Sequence, residues 1–336
     1  MSRIAGITSN TVPWEILRAA GYSPRLLGDE PGPTPFADRF MEDVFERRFR
    51  VIFDRLCSGA WNDLDIVVLP RTSEQEHKLY LYLREMTRLG YSERVPKLYL
   101  YNLLHTRAPE SYDYGLERTR QMVQDFQASD QELRIAIAES NRARAIVREI
   151  LRLRREGRME GSVAVDMIAG FYNTNRDQFA EQAQARLVST LPVVSGSRPR
   201  ILFKGSALDH SGLHRLVEQH GGYVVAEDDW HGSRAAGDTD IQTDGDPVAA
   251  IFHKYFLDAV SPRVRPPAEV DAWFHREIEE SNIQGVIFYI PLEDDVVGWD
   301  YPRQLAFLQS KGLPSLLIRD SVAAPVSEFL KSLPRK

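Results

Sequence analysis

Short apolar runs alternate with stretches of helical periodicity in the first half of the chain. The runs Arg3–Thr8, Asp65–Pro70 and Lys97–Asn102 predict strands, and the second is apolar on both faces, as buried parallel strands are. Trp14–Ala20 and Glu74–Leu89, which lie between them, have helical patterns. Strands separated by helices are typical of a parallel α/β sheet.

Two longer stretches interrupt this alternation. Residues 22–37 are rich in proline and glycine and predict an irregular loop, after which Asp38–Ser58 shows helical periodicity again. Residues 115–191 are amphipathic and contain few turn signals, so we expect two or three long helices there, broken at Gly157–Gly161 and near Asn173.

The alternation resumes in the second half of the chain. Strands are predicted at Arg200–Lys204, Gly222–Glu227, Gly285–Ile290 and Pro314–Ile318, with a loop and helix over 206–220 and helices near 249–259 and over 301–311. The sequence therefore predicts an α/β fold with two domains. Each has a parallel sheet flanked by helices in a flavodoxin-like arrangement, and a long helical segment lies between them.

The best domain boundary is the stretch 192–199, which is rich in proline, glycine and serine. We expect an N-terminal domain at 1–125, a helical connecting segment at 126–193 and a C-terminal domain at 194–336. A chain of 336 residues is more than twice the size of a typical domain, which agrees with this division.

Composition and charge exclude several classes of function. The net charge of −6 argues against a general nucleic-acid-binding protein, which would carry a basic excess. No apolar run approaches the roughly 20 residues of a membrane span, and the N-terminus lacks the pattern of a signal peptide. The single cysteine, Cys57, excludes an intramolecular disulfide framework, so we expect a cytoplasmic protein.

The turn after Arg200–Lys204 is a candidate ligand site. Gly205 and Ser206 stand where a strand ends at the carboxyl edge of its sheet, which is where open α/β sheets bind ligands. The chain has neither GxGxxG nor a phosphate loop, so a merely tight connection at Gly205 stays an equal alternative. His210 and His214 are four residues apart but lack the frame of a metal motif, and we predict no metal site there.

Six arginines are concentrated between residues 142 and 155. The favoured interpretation is a solvated helix face with Glu139, Glu149 and Glu156 as partners; the alternative is a site for a phosphate or a partner protein. Cys57 has no nearby histidine to activate it, so we expect a small buried thiol rather than a nucleophile.

Five segments in order resemble the large subunits of 2-hydroxyacyl-CoA dehydratases and benzoyl-CoA reductases. Trp299–Pro302 and Gly312–Pro314 favour the benzoyl-CoA reductase branch. The five segments are Ser9–Leu27, Leu64–Glu74, Ala136–Ile150, Gly221–Arg234 and Gly285–Ile318.

The resemblance implies an iron–sulfur cluster, yet the cysteines that hold it in the family are missing here. They come from three segments, and this chain has none in Asp38–Arg50 or Pro291–Asp295, while Ser73 takes the remaining place, followed by Glu74 where aspartate is usual. A cluster needs several thiolates, and Cys57 falls outside all three segments. We therefore expect no metal and no cofactor in this chain, and a cluster only in a partner subunit.

The resemblance also implies an acyl-CoA or related anionic ligand, which needs cations and backbone N–H groups for its phosphates. The candidates for ligand binding are Gly205, Ser206, Arg234, Arg71 and Ser73, with Lys204 and Arg25 as further cations. The favoured function is that of a cluster-free subunit beside a cluster-bearing paralog. The family's ATP-dependent activator protein would serve that pair.

Two other functions stay open. The chain could be an autonomous non-redox enzyme acting on a thioester or carboxylate, because paired carboxylates can divide acid and base roles. It could also be a non-catalytic scaffold that binds a CoA ester. The acid–base candidates for the enzyme are Glu74, Asp228, Asp229, Glu293, Asp294, Asp295 and His231.

Overall fold

The computed structural model contains two four-stranded parallel sheets flanked by helices, which confirms the predicted α/β class. It describes residues 3–28, 32–188, 196–258, 264–294, 296–319 and 323–334. Residues 192–195 of the predicted domain boundary, and the candidate Asp295, lie outside the described residues.

The chain divides into two compact units that are interleaved along the sequence. The first unit comprises residues 1–141, 172–175 and 239–263, and the second comprises 142–171, 176–238 and 264–336. The predicted domains, in contrast, are contiguous ranges of sequence. Whether each range folds independently stays a prediction.

The helices within the described residues number thirteen. In chain order they are α1 (Trp14–Ala19), α2 (Pro35–Phe40), α3 (Arg47–Ser58), α4 (Glu74–Arg88), α5 (Pro109–Phe126), α6 (Asp130–Arg155), α7 (Gly161–Asn173), α8 (Arg176–Val188), α9 (Gly212–Gln219), α10 (Pro247–Leu257), α11 (Pro267–Glu280), α12 (Tyr301–Ser310) and α13 (Ala323–Ser332). None of the helices so described is long and apolar enough to cross a membrane.

The first unit is built on the strands β1 (Arg3–Ile7), β2 (Tyr22–Leu26), β3 (Ile66–Pro70) and β4 (Lys97–Tyr101), in the order β2-β1-β3-β4. The predicted loop at 22–37 is wrong at both ends, because β2 occupies its first residues and α2 begins at Pro35. β2 is an edge strand, where a proline such as Pro24 is tolerated because one side of the strand needs no ladder hydrogen bonds.

The second unit repeats this arrangement with β5 (Arg200–Gly205), β6 (Tyr223–Asp228), β7 (Gly285–Tyr289) and β8 (Ser315–Ile318), in the order β6-β5-β7-β8. Its four strands match the four predicted ones. The helix α11 was not predicted, whereas the breaks near 157–161 and Asn173 are confirmed.

Helix α10 belongs to the first unit although it follows much of the second in sequence. The Tyr255 hydroxyl donates to Glu15 Oε2 at 2.8 Å and accepts from the Trp14 backbone N–H at 3.2 Å. The ring of Phe252 packs where a Cβ on Gly115 would stand. The first unit is therefore completed by a segment near residue 255.

Candidate functional site

The carboxyl edge of the second sheet begins with a glycine that its surroundings require. Gly205 has φ of +146°, and a Cβ there would lie 2.0 Å from the carbonyl oxygen of Tyr289. This close approach lets the Ser206 backbone N–H donate to the same oxygen at 2.9 Å. A tight strand connection therefore explains Gly205 without a ligand.

Ser206 lies beside the segment Pro291–Asp294. Its hydroxyl donates to Asp294 Oδ2 at 2.6 Å, while Asp294 Oδ1 accepts the backbone N–H of Val297 at 2.6 Å. Glu293 is exposed. Ser206 and Asp294 are thus brought together, and Asp294 is used to cap the turn that follows.

Asp228 is held between two cations in the interior of the second unit. Its carboxylate lies 2.8 Å from Lys204 Nζ and 2.7 Å from Arg234 Nε, and all three residues are at most 2% exposed. Burial raises the pKa of Asp228, but Arg234 and then Lys204 outweigh burial, so the pKa is lowered. The Arg234 guanidinium also lies 5.0 Å from the ring centroid of Trp273.

Glu227 forms a second buried network next to the first. Its Oε1 accepts from Arg154 Nη1 at 2.5 Å and from His214 Nε2 at 2.6 Å. Burial opposes ionisation of Glu227, but Arg154 and then His214 outweigh it and lower the pKa to about 2. His214 therefore has a carboxylate partner in the interior.

The solvated-face interpretation of the arginine run is wrong for two of its members. Arg144 and Arg154 are 2% and 1% exposed. Arg152 does behave as expected, since its side chain is half exposed and pairs with Glu149 and Glu156. Positions 143, 147, 150 and 154 share one helix face, and the buried Ala143, Val147 and Ile150 mark that face as apolar. This spacing of three to four residues is the sequence signal that would have predicted the burial of Arg154.

Asp229 differs from its two acidic neighbours because no cation is paired with it among the described residues. It accepts the backbone N–H of Leu208 at 3.1 Å and that of Gly232. Burial, and next the charge of Glu227, raise its pKa to about 8. Glu227 and Asp229 are therefore buried carboxyl groups whose pKa values lie far apart, the pattern that separates an acid from a base. The remaining acid–base candidate of this stretch, His231, is also buried.

The carboxyl edge of the first sheet carries the other predicted residues. Ser73 is the N-cap of α4, and its hydroxyl accepts the Glu76 backbone N–H at 3.1 Å. Arg71 and Glu74 are both partly exposed, and 3.5 Å separates Arg71 Nη2 from Glu74 Oε1. Arg25 pairs with Asp63 at 2.7 Å.

A buried hydroxyl cluster occupies this edge next to Ser73. Thr11 Oγ1 lies 2.6 Å from Thr72 Oγ1, and Ser9 Oγ lies within 3.1 Å of both. Glu76 accepts from Thr72 N at 3.0 Å, and burial raises its pKa. Ser73 and Glu76 have the spacing of a capping box, which sequence reasoning could have used.

Comparison with known proteins assigns the family. Residues 10–327 match the family described as 2-hydroxyglutaryl-CoA dehydratase, D-component. The chain belongs to this family. This D-component family member has no match among curated proteins. A solved structure of the SBP FpvC in complex with a Ni2+ ion, from P. aeruginosa, is 13% identical and covers 98% of this chain and 93% of its own. Its TM-score of 0.21 is too low to carry an argument.

The residues of this D-component family member do not fit an iron–sulfur cluster. Cys57, its single cysteine, is 1% exposed in the apolar core of the first unit. Burial, and next the charge of Asp54, raise the pKa of the thiol to about 12, whereas cluster ligands are thiolates. In the described ranges, no group of three or more His, Cys, Asp or Glu side chains is arranged to hold a metal ion.

Proposed function

We propose that this D-component family member is a cluster-free subunit that encloses an acyl-CoA ester beside a cluster-bearing paralog. The observation that carries the proposal is the hydrogen bond of Ser73, the residue that stands where the resemblance places a cysteine. Its hydroxyl caps α4, so the residue has a structural role that needs no metal. Asp294, in another of the three segments, likewise caps the turn after it.

The ligand-binding part of the proposal assigns different roles to the candidate residues. Arg71, a partly exposed cation at the first edge, would meet a phosphate, with Ser73 fixing the helix beside it. Gly205 and Ser206 would shape the second edge rather than bind the ligand, because the backbone N–H and hydroxyl of Ser206 already bond to Tyr289 and Asp294. Arg234 is buried against Asp228 and would position that turn rather than touch the ligand.

Electron transfer in this proposal takes place outside the chain. A cluster-bearing paralog would receive electrons from an ATP-dependent activator protein and perform the redox step. The chain described here would contribute the enclosing surface and contacts to the CoA ester. The proposed partners are thus the paralog and, through it, the activator.

Metal analysis and complex formation test the subunit role. Protein purified without oxygen should contain no stoichiometric iron or acid-labile sulfide, and should form a stable complex with a cysteine-complete D-component on size-exclusion chromatography. A Cys57→Ser variant is the matched control and should behave identically. Stoichiometric iron and sulfide would overturn the cluster-free assignment, and failure to bind any cysteine-complete paralog would overturn the subunit role.

Calorimetric titration with 2-hydroxyglutaryl-CoA tests the ligand, with free 2-hydroxyglutarate as the comparison. We expect Arg71→Ala to weaken binding of the CoA ester by roughly tenfold, because a charge-assisted contact to phosphate is lost. Arg84→Ala, at an exposed arginine of α4, is the matched control and should leave binding unchanged. Equal effects of the two variants would remove Arg71 from the site.

One observation favours the second function, an autonomous acid–base enzyme. Despite burial, cations lower the pKa of Glu227, whereas burial raises that of Asp229, so the two neighbouring carboxyl groups favour opposite protonation states. This function requires turnover of a thioester by the isolated protein in air, lost in Asp229→Asn. Binding of the CoA ester without turnover and without a paralog would indicate the third function, a scaffold.

A further inference from the structure

A cavity of about 490 Å³ lies at the amino edge of the first sheet, at the opposite end of the strands from the carboxyl edge described above. The first residues of all four strands reach it, and its volume is in the range of small-molecule sites. The residues used below are Arg3, Tyr22, Lys97, Tyr99, Asp125 and Phe126.

The strand register places these side chains on one face of the sheet. Arg3 pairs with Tyr22 across β1 and β2, and Ile66 pairs with Lys97 across β3 and β4. Since Ala5 pairs with Ile66 and lies two residues after Arg3, all of them point to the same side. The apolar core around Val67 and Leu69 lies on the other side of the sheet.

Three aromatic rings form one wall of the cavity. Phe126, the last residue of α5, makes edge-to-face contacts with Tyr22 and Tyr99, at centroid distances of 5.8 and 5.0 Å. The guanidinium carbon of Arg3 lies 4.1 Å from the centroid of Tyr22. A ring system fixed in this way offers a rigid surface for a flat ligand.

The charges at the cavity favour an anion. Lys97 is an exposed cation, and Arg3, also exposed, donates to the Tyr22 hydroxyl and the Ala20 carbonyl oxygen; Asp125 is the carboxylate among the lining residues. Asp125 already accepts from the Tyr99 hydroxyl at 3.0 Å and from Gln121 Nε2 at 2.8 Å, so both of its oxygens are engaged within the chain. Burial, and next the bond to Asp125, raise the pKa of Tyr99, so its hydroxyl stays neutral.

We propose that this amino-edge cavity binds a planar aromatic anion. The ring of the ligand would lie against Phe126 and Tyr99, and its anionic group would meet Lys97, while the charge of Arg3, which is held over Tyr22, adds to the positive potential there. A nucleoside monophosphate and an aromatic carboxylate share this chemistry. The inference is independent of the CoA-ester function, which concerns the carboxyl edge.

Isothermal titration of the full chain with four probes tests the proposal. The probes are adenosine monophosphate, indole-3-carboxylate, ribose 5-phosphate, which has no aromatic ring, and adenosine, which has no anionic group. We expect saturable binding of at least one of the first two, and binding at least about tenfold weaker for the last two, because ring and charge both contribute. Tighter binding of the nucleotide or of the carboxylate identifies the source of the ligand.

Charge variants locate the site. Lys97→Ala should weaken binding by roughly tenfold, since a charge-assisted contact is lost at an exposed position that does not disturb the fold. Lys78→Ala, at an exposed lysine of α4 outside the cavity, is the control and should change nothing. The inference is overturned if no probe saturates, if ribose 5-phosphate binds as well as the nucleotide, or if both lysine variants act alike.

Discussion

Replacing Arg154 with methionine removes the guanidinium that faces Glu227 in the interior of the second unit. Both residues are 1% exposed, and 2.5 Å separates Arg154 Nη1 from Glu227 Oε1. Methionine keeps an unbranched side chain at the position but leaves His214 as the nearest partner of the carboxylate. Removal of one partner from a buried pair costs about 3–5 kcal/mol, because the other charge is left uncompensated. We expect the free energy of unfolding to fall by that amount.

The size of this loss depends on pH through Glu227. Burial opposes its ionisation, but Arg154 and then His214 lower its folded pKa to about 2, below the value of 4.5 for an unperturbed side chain. The stability that this pair contributes is therefore complete above about pH 4.5 and is lost as the pH falls towards 2. Arg154→Met raises the folded pKa, so its deficit should be largest at neutral pH and should shrink in acid.

Urea unfolding followed by tryptophan fluorescence and circular dichroism measures the loss. The matched control is Arg152→Met on the same helix, where an exposed pair with Glu149 should be worth less than about 1 kcal/mol. The double variant with Glu227→Gln should recover more than half of the stability, because the buried charge is gone. A cost for Arg154→Met as small as that of the control, or no recovery in the double variant, would refute the reasoning.

Four further outcomes can be checked by standard measurements. Gly205→Ala should destabilise by about 3 kcal/mol or more in thermal melts, because its Cβ would overlap a carbonyl oxygen of β7, whereas Gly196→Ala, with open space around it, should be neutral. The folded pKa of Asp229, about 8, lies above its ordinary 3.8, so wild-type stability should fall as pH rises from about 4 to 8, and Asp229→Asn should flatten that slope in urea titrations. Ser73→Ala should cost about 0.5–2 kcal/mol of unfolding free energy through the lost cap of α4. Cys57 should resist a disulfide reagent at pH 8 until the protein is unfolded, because burial raises the pKa of its thiol to about 12; rapid labelling of the native protein would contradict this.

The strand pattern could be predicted because most strands are short apolar runs, and two of them, β3 and β6, are buried at every position. β2 could not, since its sequence contains Pro24 and Arg25 and so lacks a continuous apolar run. Such a strand is defined by the neighbour it pairs with, here β1, rather than by its own hydrophobicity.

The sequence could predict where the candidate carboxyl groups lie in the fold, but not which groups they contact or which of them is protonated. Asp228 and Asp229 are among the predicted acid–base candidates, yet composition alone cannot show that Asp228 faces two cations while Asp229 faces backbone N–H groups. Those partners come from distant parts of the chain: Lys204 from β5 and Leu208 from the turn after it. Which carboxyl group is neutral is a tertiary property, because it depends on groups brought together by folding.

The interleaving of the two units sets an order for folding during synthesis. Glu15 is fully buried in the first unit, yet its partner Tyr255 leaves the ribosome some 240 residues later, roughly 12–50 s at ordinary elongation rates. For that period the nascent first sheet lacks α10, so the phenyl group of Phe252 is missing beside Gly115. Truncation at the 192–199 boundary would make this temporary gap permanent. The chain is therefore best expressed whole, and a chaperone that shields the unfinished unit would act before residue 255 has been added.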